Sequence, residues 1–365
     1  SRGANGVIII TTKQGKGNPV IRFSTFVQAS SASKQLKMLD ARGYGSYINE
    51  IQALSNFQPK YTLDTLVDIN WQDELQRTAF STNNRLSVTG SSQDNKTKYF
   101  LAGGFLTNQG IVRRSGYNQG DLKLNLNQDI SSKLKLNFTL SGVFLKNAMS
   151  QGTEALGGGD NSMIVKMLVA KPIANDQVDL ADPSVPYDNP NSWIEGYDDF
   201  SEEKRIIAGL GLTYKITNSL SYKFNVAADF KNKERKRWFG KQTFNGKNVN
   251  GQLGLSQLER KFYQIENLLN YIRRIKRIHQ FDATFGINYD NENLGVSSVI
   301  NENFFTEELR TEGFGYGQVL YPYFRDRTGA EVFSVLGRIN YGFRDKYLIT
   351  VSGRADGSSK FSKGN

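Results

Sequence analysis

The chain has no cysteine and a single histidine, His279. A disulfide framework and a thiolate metal site are therefore excluded, and so is catalysis or metal binding built on paired histidines; no metal and no cofactor is expected. The lack of cysteine is neutral about compartment. Proline is scarce, at seven of 365 residues, which leaves long stretches free to run as uninterrupted elements. No apolar run approaches the roughly 18–20 residues of a membrane helix. That absence says nothing of β-barrels, whose strands are apolar on one face only. Acidic residues are the minority, 35 against 46 basic ones, for a net charge of +11. The charges are scattered through alternating segments and do not gather on one helix or loop, so a nucleic-acid partner is not expected.

What is present points to long strands. Aromatics make up 12% of the chain, mostly Phe and Tyr, and glycine is abundant at 35 residues; this mixture argues against a helical protein. Alternation is clean in several segments. Leu220, Tyr222, Phe224, Val226, Ala228 and Phe230 share a face against Ser221, Lys223, Asn225, Asp229 and Lys231. Leu134, Leu136, Phe138, Leu140 and Phe144 oppose Lys135, Asn137, Thr139 and Ser141, and Phe281, Ala283, Phe285, Ile287 and Tyr289 oppose Gln280, Asp282, Thr284, Asn288 and Asp290. A period of two over such lengths predicts strands with one apolar and one polar face. The expected strands are Val20–Ala29, Arg85–Gln93, Thr97–Thr107, Asn118–Ile130, Leu134–Lys146, Arg205–Ile216, Leu220–Lys231, Lys261–Arg273, His279–Asn291, Val332–Phe343 and Tyr347–Ala355. Tight turns near Asp94, Ser131, Asn218, Arg274 and Arg344 join alternate pairs. Long excursions separate the rest, with a helix starting at Asp40 and passing Tyr47 and Ile51, and a short helix at Ser162–Leu168.

Three features favour a transmembrane barrel over a secreted sandwich or propeller. The strands run about 9–13 residues, as a tilted bilayer crossing needs, against about 5–6 in soluble proteins. The polar face carries charges suited to a wet lumen. Tight turns alternate with long loops, the asymmetry of outer-membrane barrels, which sets the turns on the periplasmic side. Tyr99, Tyr214, Tyr222, Tyr289 and Tyr347 are placed as interfacial girdle residues. The chain begins without Met and stops in mid-pattern, so it reads as an interior piece of a longer protein. The opening stretch Ser1-Arg2-Gly3-Ala4-Asn5-Gly6-Val7-Ile8-Ile9-Ile10-Thr11-Thr12-Lys13 is β-branched and apolar on both faces, which predicts a buried strand over Gly6–Lys13.

These residues resemble the SusC/RagA-type TonB-dependent outer-membrane transporters of Bacteroidota. Ser1–Lys13 is similar to the end of that family's plug domain, with Arg2, Gly3, Ala4, Asn5 and Gly6 as the signature. Asn70-Trp71-Gln72-Asp73-Glu74 resembles its first-loop segment, Asn84–Gly90 its second barrel strand, Tyr99 to Ile111 the next strand and loop, and Arg354–Phe361 a mid-barrel signature. The resemblance implies an all-β fold: about eleven strands of a roughly 22-stranded antiparallel barrel, with the last strand of an N-terminal plug. Residues 1–18 are then the end of the plug and its hinge, and 19–365 the N-terminal half of the barrel, with outer loops over about 30–83, 147–203, 232–258 and 292–330. The implied function is TonB-dependent import of an oligosaccharide or peptide across the outer membrane, with a SusD-like lipoprotein and TonB as partners and outer-membrane lipid around the wall. A passive porin or surface adhesin, and a signalling receptor of the same family, are the alternatives. An enzyme is not expected: Gly157–Gly159 matches no phosphate loop and no catalytic constellation stands out.

Individual residues read two ways. Trp193 and Tyr197, beside Asp198 and Asp199, are candidates to stack on a sugar ring, against the commoner role of aromatic packing within a loop; Tyr316, Tyr321 and Tyr323 carry the same pair of readings. Asp73 and Glu74 read as a cation site or a solvated helix start. The run Arg235-Lys236-Arg237-Trp238 reads as a contact for anionic lipopolysaccharide or as a solvated charge run.

Overall fold

The computed structural model describes residues 15–149, 163–174, 190–276 and 278–361. The opening strand, the plug signature Arg2 to Gly6 and the Gly157–Gly159 triplet lie outside the described residues.

The described chain is one antiparallel 12-stranded sheet. Its strands are β1 (Val20–Ser30), β2 (Ala79–Ser91), β3 (Thr97–Gln109), β4 (Gly116–Asp129), β5 (Leu134–Ala148), β6 (Tyr197–Lys215), β7 (Leu220–Phe239), β8 (Gln252–Ile275), β9 (His279–Phe304), β10 (Gly317–Leu320), β11 (Phe324–Phe343) and β12 (Tyr347–Ser358). Each pairs with its sequence neighbour; only β10, a short ribbon beside the end of β9, stands off the path. β1 and β12 are the two edges and do not pair with each other. The helices α1 (Ala41–Leu54), α2 (Trp71–Leu75), α3 (Met163–Val169), α4 (Pro190–Gly196) and α5 (Phe244–Asn248) all sit in connections at one end of the sheet.

The register places the alternating residues on consistent faces. Tyr214 lies opposite Tyr222, Tyr222 opposite Leu269, Phe138 opposite Leu126 and Leu210, and Phe281 opposite Tyr341. One face of the sheet is therefore an unbroken apolar band. It is open, with Phe105 53% and Ile339 54% exposed, and an apolar surface of this extent marks a membrane or partner contact. On β5 the band runs from Leu134 to Phe144. Ten steps of about 3.4 Å each, tilted by about 40°, project to about 26 Å, which matches the apolar belt of a membrane barrel. Aromatic rings edge it on both sides: Tyr99, Tyr214, Tyr222, Tyr271, Tyr341 and Tyr347 toward the tight turns, and Phe105, Phe144, Phe230, Tyr263, Tyr289 and Phe333 toward the loops. The girdle residues read from sequence thus fall on both edges, Tyr289 on the loop side.

The tight turns form as expected, and local side chains close them. Ser131 Oγ accepts from the amides of Lys133 and Leu134, and Thr217 Oγ1 repeats this with Ser219 and Leu220. Ser92 donates to Asp94 and holds its carboxyl below the usual carboxylate range. Arg344 and Asp345 both have φ near +54° and +53°, the two left-handed residues of a tight hairpin. Where the chain enters β1, Gly17 has φ +69°, its amide donates to Ser91 Oγ, and its carbonyl accepts from Ser91 N. The entry is therefore fastened at the tight-turn end.

The strands run further toward the loops than alternation indicated. Ala79–Asn84, Tyr197–Lys204, Asn232–Phe239, Gln252–Arg260, Glu292–Phe304 and Phe324–Glu331 are ladder-paired strand outside the expected strand ranges. Beyond the apolar band connections pack against both faces and buried apolar residues such as Tyr197, Trp238 and Leu253 mix with polar ones, so the period-two signal disappears although pairing continues. The helix expected from Asp40 is α1, with Asp40 Oδ1 accepting from Gly43 N at its start, and α3 lies where the second short helix was expected. Because the band faces hydrocarbon, Leu140→Arg in the full-length protein is expected to cost about 2–4 kcal/mol of stability in lipid vesicles. Ser141→Arg, on the opposite face of the same strand, should stay within about 0.5 kcal/mol by urea unfolding.

Candidate functional site

The polar face of the sheet and its loop-side rim carry the chemistry. Arg85 on β2, Gly104 on β3 and Asp121 on β4 lie in one cross-strand row. Arg85 Nη2 reaches over the glycine to both carboxylate oxygens of Asp121, at 2.8 and 2.9 Å. A Cβ on Gly104 would stand 2.8 Å from Asp121 Oδ1 and 3.1 Å from Arg85 Nη2, so the missing side chain is what lets the pair close across a strand. A longer ladder crosses β6 to β9. Arg205 pairs with Asp229 by two hydrogen bonds of 2.9 and 2.7 Å, Arg260 donates to Asp229 at 2.6 Å, and Arg260 Nε donates to Glu292 at 2.6 Å. Lys231 and Glu203 add a pair at 3.0 Å. Gln264, Asn288 and Asp290 extend the polar wall on β8 and β9.

At the rim, Asp199 is 1% exposed. Arg235 Nε donates to its Oδ1 at 2.7 Å, a second guanidinium contact runs from Nη2 to Oδ2 at 2.5 Å, and the Tyr197 hydroxyl donates to Oδ2 at 2.9 Å. The bond to Asp199 raises Arg235 above its ordinary value, and burial pushes the Tyr197 phenol well above the usual range, with the Asp199 charge adding to it. Around this centre lies an aromatic core: Trp71, Leu75, Met163, Met167, Trp193, Tyr197 and Phe239. Trp193 stacks at a tilt on Tyr197 with centroids 4.6 Å apart and meets Phe239 edge-on at 6.1 Å. Two long excursions are knit together here. Trp71 Nε1 donates to the Lys171 carbonyl at 2.7 Å, and Ile69 N donates to Pro172 O.

The sequence-predicted residues therefore divide. Trp193 and Tyr197 are 2% and 4% exposed, so in this structure they pack against protein and present no ring face outward. Tyr316 and Tyr321 are 46% and 45% exposed. Tyr321 is held by a 2.8 Å bond from its hydroxyl to Glu302 on β9, and Tyr316 rests edge-on against Phe305. Tyr323 is exposed as well. Asp73 and Glu74 form the first turn of α2, where Asp73 accepts from Gln35 and Asn70; among the described residues no acidic group has metal-binding geometry. The basic run at Arg235–Trp238 is strand, not loop. Its pleat sends Arg235 and Arg237 to the polar face and Lys236 and Trp238 to the apolar one. Sequence reading missed Gly104 and the ladder partners, because each pair joins residues 24 to 36 positions apart.

No family model matches the chain. Compared with curated proteins, it is 25% identical over 372 residues to the TonB-dependent receptor P3 of Formosa agariphila and 26% identical over 381 residues to receptor P26 of the same organism. It is also 25% identical over 399 residues to the TonB-dependent receptor SusC of Bacteroides thetaiotaomicron. Each match covers 100% of this chain. Over its whole length the chain is similar to TonB-dependent receptors, SusC among them. It spans 36% to 37% of the length of these three relatives. Among solved structures, a chain of the RagAB peptide transporter superposes with a TM-score of 0.77 at 19% identity, covering 99% of this chain and 45% of that one. That likeness shows the fold: the sheet is part of the wall of a transmembrane β-barrel, its apolar face outward and its polar face inward.

Two substitutions test the inner wall. Asp199→Asn leaves Arg235 without its buried counter-charge and is expected to cost about 3 kcal/mol, read as lost amide protection over Tyr197–Ser201 while the band strands keep theirs. Gly104→Ala should destabilise the full-length protein by about 1–2 kcal/mol by parting a charged hydrogen-bonded pair. Gly103→Ala, whose Cβ would meet nothing closer than 3.7 Å, should be neutral in the same thermal melt.

Proposed function

We propose that this chain is part of the wall of an outer-membrane importer that takes up a large solute with energy delivered through TonB. The observation that carries the reading is the match of the whole chain to TonB-dependent receptors, on a wall that is apolar outside and polar within. A wide, charged inner face suits a hydrated solute, and a wall of this kind moves nothing uphill without an external energy source. Residues 1–18 are assigned to the end of a plug and its hinge, which the fastening of Gly17 to Ser91 at the tight-turn end supports; the tight turns then face the periplasm. The solute is proposed to be an oligosaccharide or a peptide, received together with a SusD-like lipoprotein at the loop side. Tyr316 and Tyr321, half-exposed on the loop side, are the better candidates for contact with it; Trp193 and Tyr197 support the rim instead.

The test is uptake by whole cells carrying the full-length gene, with and without TonB. Accumulation of a labelled solute is expected to fall to the level of passive leakage when TonB is deleted. Uptake that persists at the original rate without TonB would make the protein a passive pore and overturn the importer reading.

A further inference from the structure

The outer face changes character one row beyond its aromatic edge. The edge row carries Phe105, Phe144 and Lys204. The next two rows on the same face carry Asn118, Lys146, Glu202 and Glu234, and then Ala148, Phe200 and Lys236. Together they floor a cavity of about 740 Å³ on β3 to β7. Its walls come from connections folded against the outside of the barrel: Arg77 and Arg114 on one side, Thr311 and Glu312 on the other. Asp198, 5% exposed, fastens both walls, because it is ion-paired to Arg114 and, at 2.6 Å, to Arg310. The cavity is thus built by long-range contacts.

Its charges are unequal. Lys146, Lys236, Arg77 and Arg114 line it against Glu202, Glu234 and Glu312, and Lys204 stands one row below. Lys146 meets Glu202 at 2.7 Å, with both side chains about half exposed, and Lys236, its side chain 27% exposed, meets the 71% exposed Glu312 at 2.8 Å and Glu234 at 3.8 Å. Pairs this open to solvent are held weakly, so an incoming anion can take the ammonium groups over. The floor sits roughly 7 Å along the strands from the last aromatic row. The ammonium groups of Lys146 and Lys204 both lie over the Phe144 ring, at 5.6 and 5.8 Å, which sets two cations at the aromatic edge of the band. The cavity faces away from the inner wall, so a solute passing through the barrel does not reach it. What does reach it is the headgroup of a lipid standing against the band.

We propose that this cavity seats the phosphate-bearing headgroup of an outer-leaflet lipid, with Lys146 and Lys236 as its ligands and the acyl chains lying along Phe105, Leu122 and Phe144. The proposal rests on the reading that the wall spans the outer membrane. That premise has its own test in the contrast of Leu140→Arg with Ser141→Arg, so failure of one is told apart from failure of the other.

The experiment uses the full-length protein, purified in detergent, stripped of lipid and examined by native mass spectrometry with phosphorylated lipid A or its dephosphorylated form. Retention is expected for the phosphorylated lipid and at least fivefold weaker binding for the dephosphorylated one. The double variant Lys146→Gln/Lys236→Gln should lose the same factor, and Lys146→Arg/Lys236→Arg should restore it. Lys261→Gln, on the same face of β8 but outside the cavity, should bind as the unmodified protein does. If the double variant fails to fold, judged by heat-modifiable migration, Lys236→Gln alone carries the test. Equal binding of the two lipids, or unchanged binding by the glutamine variants, overturns the proposal. Full displacement by equimolar inorganic phosphate would assign the site to free phosphate and overturn it as well.

Discussion

Everything in this sheet follows from one constraint: each strand meets hydrocarbon on one side and water on the other, while its backbone groups must all be paired by its neighbours. Hydrocarbon offers no hydrogen bond, so ladders must be long and continuous. The ladders between β4 and β5, or β6 and β7, run unbroken from tight turn to loop end. The same constraint forces period two on every side-chain row. It leaves β1 and β12 as edges that do not pair with each other among the described residues; such edges are not tolerated bare inside a bilayer.

The inner wall solves a different problem. Its charges are answered across strands, not along them, because neighbours in a row stand about 5 Å apart whereas the next inward residue on the same strand is about 7 Å away. Asp229 accepts from Arg205 on one side and Arg260 on the other, so a single carboxylate ties β6, β7 and β8. Arg85 and Asp121 go further and clasp over β3, possible only because Gly104 leaves the space empty.

The two ends of the wall differ in what holds them. At the tight turns, Ser131, Thr217 and Ser92 close the backbone locally. At the loop end, two consecutive carboxylates at the start of β6 act on opposite faces. Asp199 gathers Arg235 and Tyr197 inside, and Asp198 gathers Arg114 and Arg310 outside. The pleat of one strand thereby fastens a neighbouring strand and two connections that belong to distant parts of the chain. The inner and the outer face of the rim are thus fastened by adjacent residues of one strand.

Alternation alone was enough to find the strands, the apolar face, the aromatic edges and the tight turns, because those features are set by residues two to four positions apart and by a solvent that differs across the sheet. The start of α1 at Asp40 belongs with them, being a cap made by a side chain three residues away. The extensions Tyr197–Lys204 and Glu292–Phe304 were invisible, since past the hydrocarbon connections pack against both faces and apolar residues no longer alternate with polar ones. The burial of Trp193 and Tyr197 was equally hidden. It depends on Trp71 and Leu75, more than a hundred residues earlier, arriving at the same rim. Local chemistry decides which face a side chain takes; only the assembled sheet decides what stands opposite it, because partners from distant strands meet there only after the register is set.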